Sequence, residues 1–438
     1  MNRRAFHRHL LATLAAFTVP PRSLLAAAQS QDPRVNGDRL GGHLRELARF
    51  GRNDLGGITR VAYSDEDREA RAYVMELMRA AELDVRVDTA GNIIGRRSGR
   101  DATLPPLMTG SHTDSVPEGG NYDGQVGSLG AIEVAHTLAE AGIALRHPLE
   151  VVIFQNEENG KVGAKAMRGE DPAHYLDLMT HSGRTVRDGI AFIGGDPARV
   201  REAQRAPGSI AACVELHIEQ GAMLETAAID IGVVQGIVGI KRWNVVVDGF
   251  ANHAGTTPMD RRQDALLAAA RLIDAVHRIA RALPGRHVAT VGVVRAEPGA
   301  PNVIPGRATL TLEIRDLEMT TIDALHDRML AAATDIGSET GTRFELTQIY
   351  RTEPASADAR VQDIIEAAAG RLGHTTLRLP SGAGHDAQEI AQLAPMGMIF
   401  VPSRGGISHS AEEYSAPTWI TNGANVLLHT LLALDRAL

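Results

Sequence analysis

The residues best suited to chemistry follow apolar runs. Pro105-Pro-Leu-Met108 leads into Thr109-Gly-Ser-His-Thr-Asp-Ser115. The run reads as a strand ending near Gly110. That puts His112 and Asp114 at the carboxyl mouth of a sheet, where open α/β sheets carry their sites. An imidazole can bind a metal through one ring nitrogen while a carboxylate holds the other, and Asp114 is placed to be that carboxylate. Asp123 lies in Gly119-Gly-Asn-Tyr-Asp-Gly124, a glycine-rich loop able to turn a carboxylate back toward His112. A second strand, Leu149-Glu-Val-Val-Ile-Phe154, ends in Gln155-Asn-Glu-Glu-Asn-Gly160. Its adjacent carboxylates, Glu157 and Glu158, repel each other. They are either a solvated pair, or one is neutralised by a cation while the other carries protons. Val214-Glu-Leu-His-Ile-Glu-Gln-Gly221 reads as a third strand, with His217 and Glu219 on one side at period two. Gly405-Gly-Ile-Ser-His-Ser410 follows a fourth, Met396-Gly-Met-Ile-Phe-Val401, and carries His409.

Each group alone has an ordinary reading: a surface His–Asp pair, a solvated acid, a histidine packed in a core. Together, His112, Asp123, Glu158, His217 and His409 put five potential ligands on four loops of one domain, which packing does not explain. Three imidazoles and two carboxylates suit two borderline metals sharing a carboxylate, each keeping room for water. Such ions make hydroxide near neutral pH and polarise a carbonyl.

The chain that must position these groups has 438 residues, enough for two domains. Hydrophobic residues are 44% and charged residues 22%, as in a soluble globular protein. A net charge of -8 gives a nucleic-acid partner no electrostatic support. The single cysteine, Cys213, excludes an intrachain disulfide; its neighbours read as a buried strand, which favours inert packing. The first residues are basic, with paired Arg3-Arg4, then apolar from Leu10 to Phe17, then small at Ala26-Ala-Ala28. This order resembles a twin-arginine export signal over residues 1–28, too short in its apolar part for a membrane span. A periplasmic mature chain without a membrane segment is expected, or a cytoplasmic one where the signal is not used.

Helices are expected over 40–50, from Ser64 through the stripe Ala70, Val74, Leu77 and Met78, and over 126–141. Strands are expected at 84–87 and 93–94. Between the third and fourth candidate loops a separate pattern appears. Strands at 243–247, 288–294, 308–314 and 344–349 alternate with helices at 264–283 and around Ile322, Leu325, Met329, Ala333 and Ile336. This β-α-β-β-α-β order is ferredoxin-like. The expected fold is therefore α/β, with a mixed sheet flanked by helices over 35–235 and 352–438 carrying the metals. A ferredoxin-like α+β domain is inserted over 236–351. Helices at 361–372 and 425–438 close the chain.

Eight motifs, in order along nearly the whole mature chain, give the sequence a family resemblance. They are Gly110-Ser-His-Thr-Asp-Ser115, Gly120-Asn-Tyr-Asp-Gly124, Glu157-Glu158, Glu215-Leu-His-Ile-Glu-Gln-Gly221, Ala251-Asn-His-Ala-Gly-Thr-Thr-Pro-Met259, Pro301-Asn-Val-Ile-Pro305, Ser381-Gly-Ala-Gly-His-Asp-Ala387 and Gly406-Ile-Ser-His-Ser410. The chain resembles the dinuclear-metal amidohydrolases of the M20 peptidase clan, in the branch of N-carbamoyl-L-amino acid hydrolases, allantoate amidohydrolases and β-ureidopropionases. The resemblance implies two divalent ions per subunit, zinc by default, with manganese, cobalt or nickel as other occupants. It implies that Asp123 bridges them, that His112 and His217 complete one site, and that Glu158 and His409 complete the other. Asp114 would orient His112, and Glu157 would be the general base acting on a metal-bridging hydroxide. Asn302 and Arg315 would hold the substrate carboxylate, with Gln220 and His385 further along the pocket. The inserted domain would form a homodimer and close over the site, His253 reaching the partner's active site to hold the oxyanion. The implied reaction is cleavage of N-carbamoyl-L-amino acids to amino acid, carbon dioxide and ammonia. Allantoate or ureidoglycolate amidohydrolysis shares every motif, and a clan peptidase or acylase is the more distant alternative. A non-catalytic protein on the same fold would be marked by lost ligands or a lost base, and none is missing.

Overall fold

The computed structural model describes residues 32–438; the expected export signal lies outside the described residues. In chain order the first strands are β1 (Asp84–Val87), β2 (Ile93–Arg97), β3 (Leu107–His112), β4 (Leu149–Phe154), β5 (Ala212–Ile218) and β6 (Ile231–Ile237). The middle of the chain adds β7 (Gly239–Asp248), β8 (Asn252–His253), β9 (Val288–Glu297), β10 (Val303–Ile304), β11 (Arg307–Asp316) and β12 (Arg343–Thr352). It ends with β13 (Ala355–Ser356), β14 (Thr376–Ser381) and β15 (Met396–Val401).

Nine of these form one mixed sheet in the order β1-β2-β4-β3-β5-β15-β6-β13, with β14 alongside β6. Its centre, β4-β3-β5-β15, is parallel throughout. Every residue of these four strands is buried. That goes with their apolar stretches, Leu107-Met108, Val151–Phe154 and Met396–Val401 among them, because a parallel sheet is covered on both faces. The polar residues of these strands, such as Glu150, Glu215 and His217, are buried as well. Helix Gln125–Glu140 covers one face with thirteen buried residues, and Pro417–Ala437 packs beside it. The parallel arrangement points four carboxyl ends the same way, so His112, the Glu157–Glu158 turn, His217 and the His409 loop share one edge of the sheet.

The middle strands form a four-stranded antiparallel sheet in the order β12-β7-β11-β9, which is the ferredoxin-like order. Helices Ala265–Ala282 and Met319–Thr340 cover one face around a separate apolar cluster with Trp243, Val245, Leu272, Leu310 and Met329. Each fully buried aliphatic side chain there contributes about 1.5–3 kcal/mol. The chain leaves the large sheet after β6 and rejoins it at β13, and these two strands pair antiparallel, Ile237 opposite Ala355 and Gly236 opposite Ser356. Asp264 and Asp358 cap the helices that follow them.

The element boundaries differ from expectation where caps intervene. Asn36 accepts from Arg39 N and starts the first described helix at Gly37, three residues before its apolar stripe. The last helix starts at Pro417, eight residues before the apolar stretch at 425. Proline lacks only an N–H that a first turn leaves unused. Among the described residues no helix is long and apolar enough to cross a membrane.

Candidate metal centre

His112, the last residue of β3, is 2% exposed. Its Nδ1 lies 2.9 Å from the Asp114 main-chain carbonyl and 3.7 Å from that residue's carboxylate. The carbonyl thus takes a proton on Nδ1 and sets the ring so that Nε2 faces the cavity. The Asp114 carboxylate instead accepts the amides of Glu157 at 3.3 Å and Glu158 at 3.2 Å. It therefore shapes the acidic turn rather than the imidazole, a different contact from the one expected.

His217 repeats the arrangement. Its Nδ1 sits 2.8 Å from the Ile218 carbonyl, which leaves Nε2 aimed at the same region. Asp123 lies between the imidazoles. Oδ1 is 3.1 Å from His217 Nε2 and 3.7 Å from His112 Nε2. Oδ2 is 3.1 Å from His409 Nε2 and 2.6 Å from the Gln220 amide nitrogen. Each carboxylate oxygen thus faces a different set of donors, one His112 and His217, the other His409 with Glu158 at 3.6 Å. The atoms of each set, His112–Asp123–His217 and Asp123–Glu158–His409, lie within 4.8 Å of one another.

The donor set fits divalent metal binding. Imidazole and carboxylate are ligands for borderline metals, and Glu158 Oε1 is buried with no hydrogen-bond partner. The electrostatics agree. Burial pushes the Asp123 carboxyl up, but the imidazoles of His112, His217 and His409 around it outweigh that and hold it well below the usual range. Burial works against a proton on His112, yet Asp123 and Glu157 raise its pKa well above the ordinary value. Glu158 is pushed far up by burial and then by Asp123 and Glu157. Glu157 rises to about 7, by burial first, with Asp114 and Asp123 adding repulsion against the pull of His112 and Lys161. So much unrelieved negative charge in one buried place is what a cation stabilises.

Backbone strain gathers at the same edge. Asn156, Lys161, Gln220 and His409 all take left-handed φ, from 53° to 57°. Non-glycine residues adopt that region at a cost and mainly where the surroundings enforce it. Gly124 has φ 75°, and a Cβ there would lie 2.3 Å from His112 Nε2, so only glycine admits the imidazole.

The centre opens into a cavity of about 250 Å³ that Arg315 also lines, reaching over from β11 of the smaller sheet. Its Nε donates to Glu313 at 2.7 Å and Nη1 to the Gly382 carbonyl at 2.8 Å. A guanidinium has five N–H donors, so this fixes its aim and leaves donors over. Gln220 lines the same cavity. His385 does not: it is buried behind His217, ring centroids 4.5 Å apart, with Nε2 2.7 Å from Ser381 Oγ. Asn302 and His253 sit together on the exposed β8–β10 ribbon, where Asn302 O accepts from Ala254 N. Neither lines the cavity of its own chain.

The acid expected on the same side of the strand as His217 also changes. β5 stops at Ile218, so Glu219 leaves the strand and accepts the amides of Met223 and Leu224. The acid on the His217 face is Glu215, bonded to Ser111 Oγ at 2.6 Å and to Ala387 N. The period-two rule carried this signal, applied backward along the strand instead of forward. Glu413 was not singled out by sequence either. The only sign was an acid pair, Glu412-Glu413, of which the structure buries the second.

This fold and this site together define a class: the chain belongs to peptidase family M20/M25/M40, whose profile matches residues 108–433. It is 39% identical over 402 residues to an N-carbamoyl-L-amino acid amidohydrolase of Geobacillus stearothermophilus, covering 91% of this chain and 98% of that protein. It is 35% identical to the allantoate amidohydrolase of Bacillus subtilis (strain 168), covering 90% and 96%. Among solved structures, an amidase of the hydantoinase/carbamoylase family from Burkholderia multivorans superposes with a TM-score of 0.86 at 37% identity, covering 92% of this chain and 98% of that one.

Proposed function

We propose that the protein is a metal-dependent amidohydrolase that cleaves N-carbamoyl-L-amino acids to the amino acid, carbon dioxide and ammonia. The observation that carries this is Asp123, one oxygen toward His112 and His217 and the other toward His409 and Glu158. His112, Asp123 and His217 would hold one divalent ion, and Asp123, Glu158 and His409 a second, zinc being the default. Bound there, the ions would supply Lewis acidity, lowering the pKa of water and polarising a ureido carbonyl.

The chain's own residues do the rest. Glu157, beside Glu158 on the acidic turn and lining the cavity, is placed to remove a proton from water and return it to the leaving nitrogen. Asp114 holds the Glu157 and Glu158 amides and so fixes where the base points. Arg315 presents a planar fork, already aimed by Glu313 and Gly382, to the substrate carboxylate. Gln220 steadies Asp123.

His253 Nδ1 accepts the amides of Gly255 at 3.0 Å and Thr256 at 3.2 Å. This puts the neutral ring's proton on Nε2, a donor suited to an oxyanion. Its exposed place on the ribbon, with Asn302 beside it, supports action on the site of a second copy in a homodimer. Restored activity on mixing separately inactive His253→Ala and Glu157→Gln chains is the expected result. Two inactive chains that stay inactive while forming mixed dimers would contradict it.

Export belongs to the same reading, supported by Arg3-Arg4, the apolar 10–17 and Ala26-Ala-Ala28. Fractionation is expected to find a shortened chain in the periplasm; a full-length cytosolic chain would remove the basis for it.

The substrate test is ammonia release from N-carbamoyl-L-amino acids and from allantoate, side by side, with Glu157→Gln as blank. Release from the carbamoyl series is expected. Release from allantoate alone would move the assignment to the second activity found among the relatives.

A further inference from the structure

Two loops from opposite ends of the chain meet at the candidate centre, one carrying Asp123 and the other His409. What joins them is the side chain of Glu413, 5% exposed. Its Oε1 accepts the amides of Tyr122 at 2.9 Å and Asp123 at 3.1 Å. Its Oε2 accepts the Ser408 hydroxyl at 2.7 Å and the His409 amide at 3.3 Å. Ser408 Oγ also lies 3.1 Å from Asp123 Oδ2. One carboxylate therefore takes four donors, two from each loop.

The surroundings are shaped around it. A Cβ on Gly120 would lie 2.1 Å from Glu413 Oε1, and its three nearest atoms all belong to Glu413. His409 needs such an anchor more than the other imidazoles do. It sits in a left-handed conformation at φ 55°, and its side chain is 49% exposed, against 2% for His112 and 1% for His217. The rings of His112 and His217 are set by the carbonyls of Asp114 and Ile218. Glu413 touches neither ring.

We propose that Glu413 is a positioning residue that clamps the His409 loop to the Asp123 loop and so sets the affinity of one of the two metal positions, the one formed by Asp123, Glu158 and His409. This rests on the reading of those residues as ligands. A glutamine at 413 keeps one acceptor oxygen but turns an NH2 toward the other side. Facing the first loop, that NH2 meets the Tyr122 and Asp123 amides; facing the second, it meets the His409 amide, although the Ser408 hydroxyl can turn to accept it. At least one main-chain amide therefore loses its acceptor whichever way the side chain faces. Loss of an outer contact of this kind lowers metal affinity roughly 10–100-fold.

The experiment is a zinc titration of the metal-free full chain against a competing chelator, repeated with cobalt to follow the absorption of each position as it fills. Wild type is expected to take up two ions. Glu413→Gln is expected to keep the first at unchanged affinity and to bind the second roughly 10–100-fold more weakly, with the matching cobalt band filling last. Two ions bound as tightly as in wild type would overturn the proposal. So would equal weakening of both, which marks a general loss of structure. A wild type that binds fewer than two ions would overturn the two-metal reading itself, a result distinct from failure of the clamp. Should Glu413→Gln not fold, Ser408→Ala withdraws one of the four donors at little cost in volume. A selectively weakened second ion supports the clamp, and an unchanged titration refutes it.

Discussion

Replacing Gly124 with alanine probes the geometry of the centre from a residue that offers no side chain to a metal. Two costs follow from the structure. The backbone is at φ 75° and ψ -41°, a positive-φ conformation outside the left-handed helical well, which costs an alanine on the order of 1–3 kcal/mol. The new Cβ would also meet the His112 ring, with Nε2 at 2.3 Å, Cε1 at 2.4 Å and Cδ2 at 2.5 Å, where ordinary contact begins at 3.4 Å. The ring must move by about 1 Å, and misplacement of that size can cost on the order of 100-fold in rate. The Gly124 amide also lies 3.2 Å from His217 Nε2, so both imidazoles are disturbed. The global cost is small for a chain of this size, and a fall of only a few degrees in melting temperature is expected. The assay is turnover and metal content per folded chain, with circular dichroism as the check on folding. A folded Gly124→Ala enzyme with wild-type metal content and wild-type turnover would show that the His112 ring is not held where the centre needs it.

Other substitutions separate the roles. Glu157→Gln is expected to retain metal while losing roughly 100- to 10,000-fold in turnover; near-normal turnover would remove Glu157 as the base. Arg315→Ala removes charged hydrogen bonds of about 1.5–3 kcal/mol. It is expected to raise KM for carboxylate substrates roughly 10- to 100-fold with a smaller effect on kcat, and an unchanged KM would contradict the anchoring role. Away from the centre, burial pushes the Asp67 carboxyl up to about 6 from 3.8, against the pull of Arg71. The folded chain therefore holds that proton more tightly than the unfolded one, and the stability it brings is lost as pH rises from about 4 through about 6. Asp67→Asn, which can still accept the Tyr63 amide, is expected to be more favourable relative to wild type at pH 8 than at pH 4, by up to about 3 kcal/mol. A difference in denaturant midpoint that does not vary with pH would contradict this.

In the parallel centre of the large sheet, burial on both faces writes itself as apolar runs in β4 and β15; β3 was legible from the run 105–108 that leads into it, and β5 from the alternation around His217. The smaller sheet was legible through alternation, as in β11, where every second residue is buried. β6 and β14 were not. Gly232, the exposed Gln235 and Gly236 interrupt the first, and Arg378 and Pro380 the second; pairing with neighbours distant in sequence makes them strands. At the site, residue type and loop position brought out the five ligand candidates. What sequence could not give was which atom does what. Asp114 uses its carbonyl on His112 and its carboxylate on Glu157 and Glu158. Glu413 acts across 290 residues of chain, and no local spacing encodes such a contact.

Where metal binds decides between a two-metal hydrolase and every other reading of this site. A crystal structure of the zinc-loaded enzyme, with data collected on either side of the zinc absorption edge, locates it directly. Two anomalous peaks are expected, about 3.5–4 Å apart as in two-metal sites, flanking Asp123, one beside His112 and His217 and the other beside Glu158 and His409. A single ion held instead by Glu215, His217 and His385, whose donor atoms also lie within 4.8 Å of one another, would contradict the two-metal centre and the mechanism built on it.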